Sequence, residues 1–274
     1  MRLYLHPNTL VTIESLKKSL PQSLMLTGES GVGLLTIARD MSGLSLSQLL
    51  QPKNKKGEID LISGTITAES IRELYEHTRG KHASRRIVIV DTAERMSLAA
   101  QAAFLKLLEE PSSSTFFILT SHHLSKILPT IRSRVQIARI LRITDQQSLT
   151  LIEQSGIRDS HKIAQLQFLA IGRPAELCRL LNDDDYFKVQ ATYVSDAHRF
   201  LKVSRYERLI LASKYFKNRS DALQFIDCCS TLLRRTLSQN PQAKLVHQLE
   251  ELIKLRTNVQ ANANIRLQLT RFVL

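Results

Sequence analysis

A chain of 274 residues is long for one small core and suits two or three domains, each burying its own apolar centre. With 43% hydrophobic and 23% charged residues and few Gly or Pro, it is neither disordered nor fibrous. The formal charge of +13 suits a polyanionic partner as well as a merely basic surface, while 5% aromatics without Trp argue against a base-stacking platform.

In chain order, short apolar runs of strand length occur at Ser23 to Thr27, Ile59 to Ser63, Ile87 to Asp91 and Phe116 to Thr120, with Val135 to Ile140 as a fifth. Helical patterns separate them. Thr67 to Thr78 places Ile71, Leu74, Tyr75 and Thr78 at helical spacing, with Thr67 as N-cap and Gly80 past the end. Ser97 to Glu110 is rich in helix formers and ends before Pro111. This alternation predicts an α/β parallel sheet covered by helices.

After about residue 142 the strand patterns stop. Gln146 to Leu181 reads as a small helical unit containing the turn Gly172-Arg173-Pro174, and Asn182 to Asp185 marks a break. Amphipathic helices continue from Tyr186, interrupted at Asn240-Pro241 and resuming through Ala243 to Thr257 and Ala263 to Leu274, without an internal repeat. The expected domains are 1–142, 143–184 and 185–274. Cys178, Cys228 and Cys229 lack the spacing of a disulfide framework or metal site, which implies a reducing compartment. With neither a signal-type N-terminus nor an apolar run of the ~20 residues that span a bilayer, a cytoplasmic protein without a membrane partner is expected.

Gly28-Glu29-Ser30-Gly31-Val32-Gly33 follows a strand and precedes a helix, matching the first six positions of the phosphate-cradling loop G-x-x-x-x-G-K-[ST]. In a working loop, Gly28, Gly31 and Gly33 would let backbone amides converge on phosphates, a Lys would neutralise the terminal charge, and a hydroxyl would ligate magnesium. Leu34 and Leu35 stand in those last two places and supply neither charge nor oxygen. Hydrolysis in cis should fail, although bare amides at a helix N-terminus can still hold an anion weakly. The acidic strand end Asp91-Thr92-Ala93-Glu94 has Thr92 where a water-polarising Glu would stand. Asp91 itself reads equally as a strand-end cap or a functional remnant.

Residues Ile87 to Val135, with the helix AAQAAFLKLLEEP and the segment Leu128-Pro129-Thr130-Ile131-Arg132-Ser133-Arg134-Val135, strongly resemble the clamp-loader branch of the AAA+ proteins. That resemblance implies a P-loop parallel-sheet domain, a small helical lid and an all-helical C-terminal collar. Within the branch the degenerate loop is most similar to the subunits that do not hydrolyse ATP.

By resemblance, Arg134 is an arginine finger reaching ATP held by a neighbouring subunit; standing alone it would read as a surface ion pair. Arg132 would contact a DNA phosphate or nothing. Val135 replaces the usual Cys and keeps a small buried side chain. Thr120 and Ser121 end the sensor strand, and Ala175 stands where active members present a second sensor Arg. Residues 37–65 lack the four Cys of the family's zinc module, so neither metal nor cofactor is expected. The implied partners are the ATPase (gamma/tau) and delta subunits of a loader, its sliding clamp and primed DNA. An active ATPase subunit and a DNA-binding repair adaptor remain the alternatives.

Overall fold

The computed structural model describes residues 3–61, 63–78, 84–110, 112 and 114–273. The chain divides into two compact units, Met1–Asn182 and Asp183–Leu274. The first contains α1 (Pro7–Lys18), β1 (Ser23–Thr27), α2 (Leu34–Ser42), β2 (Leu46–Leu50), α3 (Ala68–Thr78), β3 (Arg86–Val90), α4 (Leu98–Glu109), β4 (Thr115–Ser121), α5 (Pro129–Arg132) and β5 (Gln136–Arg139), followed by α6 (Asp145–Gln154), α7 (Ser160–Ala170) and α8 (Pro174–Asn182).

Among the described residues, five parallel strands form one sheet in the order β2-β3-β4-β1-β5. The central strands are buried on both faces, so they read as continuous apolar runs. Strand alternation divides them between two layers. Met25, Val88, Val90, Phe117 and Leu119 pack with Ile71 and Leu74 of α3 and Phe104 of α4, whose ring meets Phe117 edge-on at 5.5 Å. Leu24, Leu26, Ile87, Ile89 and Ile118 pack with Ile13 of α1 and Leu34 and Ile37 of α2.

Local chemistry sets the helix starts. The Ser97 hydroxyl accepts the Ala100 amide at 3.1 Å, Thr67 caps α3 through the Ser70 amide at 3.3 Å, and Thr144 and Gln147 form a capping box on α6. Gly80 and Pro111, read as the ends of α3 and α4, lie outside the described residues.

One expected strand is corrected. Leu61 and Ser63 lie in a turn, Ile59 makes only an isolated bridge to Lys53, Ile62 lies outside the described residues, and the strand pairing with β3 is Leu46–Leu50. Asp60 is the reason: its carboxylate accepts the Ser63 amide at 2.8 Å and its carbonyl accepts the Gly64 amide at 3.0 Å. Ile59 and Leu61 are left 61% and 46% exposed. The fifth strand, expected over Val135 to Ile140, is β5.

Helices α6 to α8 belong to the same unit as the sheet. Gly172 is the joint, its carbonyl accepting the Ile143 amide at 2.8 Å with φ +68. A Cβ there would lie 2.5 Å from the Ile143 carbonyl oxygen.

The second unit packs α9 (Asp184–Lys202), α10 (Arg205–Ser213), α11 (Arg219–Gln239), α12 (Ala243–Gln260) and α13 (Ile265–Val273) around one core. Tyr215 stacks on Phe225 at 4.3 Å, and Phe200 meets Phe225 edge-on at 5.3 Å. The Tyr215 hydroxyl donates to buried Asp196 at 2.7 Å and the Tyr193 hydroxyl to Asp221 at 2.9 Å. Burial, then the hydrogen bond to Asp221, pushes the Tyr193 phenol up to about 12, and burial with Asp196 pushes Tyr215 in the same direction.

Gly172→Ala should destabilise the first unit by about 1–3 kcal/mol, read as a lower urea midpoint. Because the folded state holds the Tyr193 phenol protonated above the ordinary value of about 10, its stabilisation is full below pH ~10 and lost as pH rises through about 12. Unfolding followed by circular dichroism across that window should show the loss, and Tyr193→Phe should reduce it.

Candidate functional site

The phosphate-loop segment connects β1 to α2, as its sequence pattern requires. Gly31 and Gly33 hold φ of +89 and +91, values that glycine adopts without strain. The Gly31 carbonyl accepts two amides from the first turn of α8, Ala175 at 2.9 Å and Glu176 at 3.2 Å. A Cβ on Gly31 would sit 3.0 Å from the Glu176 Cβ, so the close approach itself needs glycine. Gly28 is equally confined, since an added Cβ would lie 2.8 Å from the Ile140 carbonyl oxygen.

Leu34 opens α2 and is 3% exposed, a member of the apolar layer beneath the loop with Ile13, Val32, Ile37 and Ala138. Leu35 packs at the margin of that layer. Both positions that would serve phosphate and metal are therefore committed to packing. An apolar hollow of about 140 Å³ lies beside the loop, lined by Tyr4, Leu5, Val32, Gly33, Pro174 and Ala175. A cleft of about 560 Å³ on another side is lined by Gly28, Glu29, His122, Arg139 and Arg142, and Arg142 pairs with Glu29.

Asp91, 6% exposed at the end of β3, spends both carboxylate oxygens on the protein. Oδ1 accepts the Thr120 hydroxyl at 2.7 Å and Oδ2 accepts Gln51 Nε2 at 2.9 Å. Thr120 Oγ1 in turn accepts the Thr92 amide at 2.9 Å, tying β4 to the end of β3. Thr92 lies at φ +53 with its buried hydroxyl unpartnered. Glu94 Oε1 accepts the His122 amide at 3.0 Å, while His122 Nδ1 lies 2.9 Å from the Gly28 carbonyl oxygen. This chain of contacts joins the ends of β3 and β4 to the loop. Its fixed geometry positions backbone and holds no free carboxylate oxygen at Asp91.

Arg134 lies just beyond α5, some 40% exposed. Its Nη2 pairs with Glu109 Oε1 at the end of α4, 2.9 Å away, and Nη1 donates to the Thr130 carbonyl at 3.1 Å. Val135 is buried against the core beneath. The guanidinium is thus presented at the surface by a short helix whose first residue, Pro129, presets its backbone.

The structure brings Gly28, Gly31, Gly33, Leu34, Asp91 and Thr92 to one end of the sheet, the carboxyl ends of its strands. Gln51, Glu94 and His122 complete the network without having been singled out by sequence. Gln51 follows an edge strand with no clear pattern, and a lone His or Glu carries no spacing signal.

Residues 9–144 match the family described as DNA polymerase III, delta subunit. Over these residues the chain is similar to the clamp-loader family. Among similar proteins, replication factor C subunit 4 of Schizosaccharomyces pombe is 31% identical over 132 residues, covering 46% of this chain and 37% of that protein. DNA polymerase III subunit delta' of Pseudomonas aeruginosa is 30% identical over 131 residues, covering 40% of each. A DNA polymerase III gamma subunit-related protein of Thermotoga maritima shares the AAA+ fold, with a TM-score of 0.54 and 19% identity over 95% of this chain and 97% of that one. The chain spans about 40% of the length of the curated relatives it matches. No helix among the described residues is long and apolar enough to cross a membrane.

Restoring a cation to the loop is predicted to fail. Leu34→Lys places an ammonium within an apolar layer, so the unfolding midpoint should fall, with a cost of several kcal/mol unless the charge escapes to solvent. Thermal melts with an ATPase assay check this, and a stable, hydrolysing variant would contradict it.

Proposed function

We propose that the chain is a non-hydrolysing, delta-prime-like subunit of a DNA polymerase III clamp loader, acting in trans on ATP bound by a neighbouring subunit. The observation that carries this reading is the burial of Leu34 where a phosphate-binding Lys would stand. The occupied carboxylate of Asp91 and the substitution at Thr92 support it, as does the direct fastening of loop to lid. In such a loader its partners are the ATPase (gamma/tau) and delta subunits, with the sliding clamp and primed DNA engaged by the assembled ring.

Arg134 is the residue assigned to the neighbour's ATP. Its guanidinium stands at the surface with one exposed carboxylate partner, an ion pair weak enough to exchange for a phosphate. A positioned arginine at developing phosphoryl charge contributes on the order of 10³ to 10⁵ in rate, roughly 4 to 7 kcal/mol of barrier. An inert subunit can thereby govern hydrolysis next door.

In a reconstituted loader, Arg134→Ala should slow DNA-stimulated hydrolysis at the adjoining site by on the order of 10³-fold while leaving assembly intact. Arg134→Lys should rescue little, because an ammonium lacks the planar fork. An unchanged rate would remove the finger assignment. Tight MgATP binding with turnover by the isolated chain would favour the alternative of an active ATPase subunit.

A further inference from the structure

We propose that the turn Lys53-Asn54-Lys55-Lys56-Gly57-Glu58 is a preformed contact for the phosphate backbone of DNA. The inference rests on the reading that the chain works at primed DNA, and it adds a surface to that reading. The turn is built by Asn54. Its Oδ1 accepts the amides of Lys56 at 2.9 Å and Glu58 at 3.1 Å, while its Nδ2 donates to Glu58 Oε2 at 2.9 Å. Backbone bonds from Asn54 N to the Glu58 carbonyl and from Gly57 N to the Asn54 carbonyl close it at 2.9 and 3.0 Å. Gly57 holds φ +84.

The base of the turn is tied by reciprocal bonds between Lys53 and Thr65, and buried Pro52 anchors it through the Asp60 amide at 2.9 Å. Lys53, Lys55 and Lys56 are exposed and make no ion pair among the described residues. Glu58 is the acid that would neutralise them, yet it is turned onto Asn54.

Three ammonium groups beside one carboxylate leave the ordered turn net positive, which suits a repeating polyanion. The ordering entropy is already spent in the free protein, and each phosphate contact releases counterions. The turn also stands at the carboxyl ends of the strands, since Gln51 just before it binds Asp91.

The test uses the full chain and a fluorescently labelled primed-template DNA, with anisotropy titrations over a series of salt concentrations. Changing Lys53, Lys55 and Lys56 to Gln together should weaken binding several-fold and reduce the slope of log affinity against log salt by roughly 0.9 per lysine engaged. Exchanging exposed Ile59 and Leu61 for Ser should leave both unchanged. No binding by the natural chain, or equal affinity and slope for the triple variant, would overturn the inference. So would a triple variant that binds DNA normally but no longer assembles with the ATPase subunits, which would mark a protein interface. Arg134→Ala separates the two proposals, because it should leave DNA affinity unchanged while removing stimulation in trans. A normal Arg134 variant beside a defective lysine variant would remove the finger role and keep this surface.

Discussion

The carbonyl of Gly31 organises the site, because it accepts both amides that the first turn of α8 would otherwise leave unsatisfied. The two bonds require backbone on backbone, which only a residue without a side chain permits at this distance. They fasten α8 to the loop through the chain's own peptide groups. The orientation of α8 against the loop is therefore held within the folded unit by backbone hydrogen bonds. Beneath the same loop, Leu34 fills with hydrocarbon a place where charge would have to be solvated by a ligand.

The neighbouring strand ends follow the same logic. Asp91, Thr120 and Gln51 satisfy one another, and Glu94 and His122 link the end of β4 to Gly28. Thr92 is the cost of this arrangement: a β-branched residue in the left-handed region, with a buried hydroxyl left unpaired. Such strain persists only where surrounding bonds over-determine the backbone, and here the Thr92 amide is held by Thr120.

Much of this architecture was legible in the residues. β1, β3 and β4 lie between two helical layers, so an unbroken apolar run was a sufficient signal. β2 was not legible, because LSQLL at an edge mixes buried and half-exposed positions and places Ser47 outward. Ile59 to Ser63 misled for the converse reason: its apolar residues sit on a turn whose geometry Asp60 dictates. The glycines of the loop and the Leu34 and Leu35 substitutions could be read from spacing alone. The partner of Arg134 could not, since Glu109 lies 25 residues earlier in the chain and meets it only through the packing of α4 against α5. The Asn54 turn was likewise hidden, because a short polar run does not disclose which side chain folds back on its own backbone.

The two borders of the sheet differ from its middle. β2 is short and carries a register shift between Leu46 and Gln48, and β5 offers four residues ending in Arg139. Brief, irregular and charged margins are poor templates for a stray strand from another molecule. A newly made chain among identical copies is thereby less exposed to pairing between sheet edges.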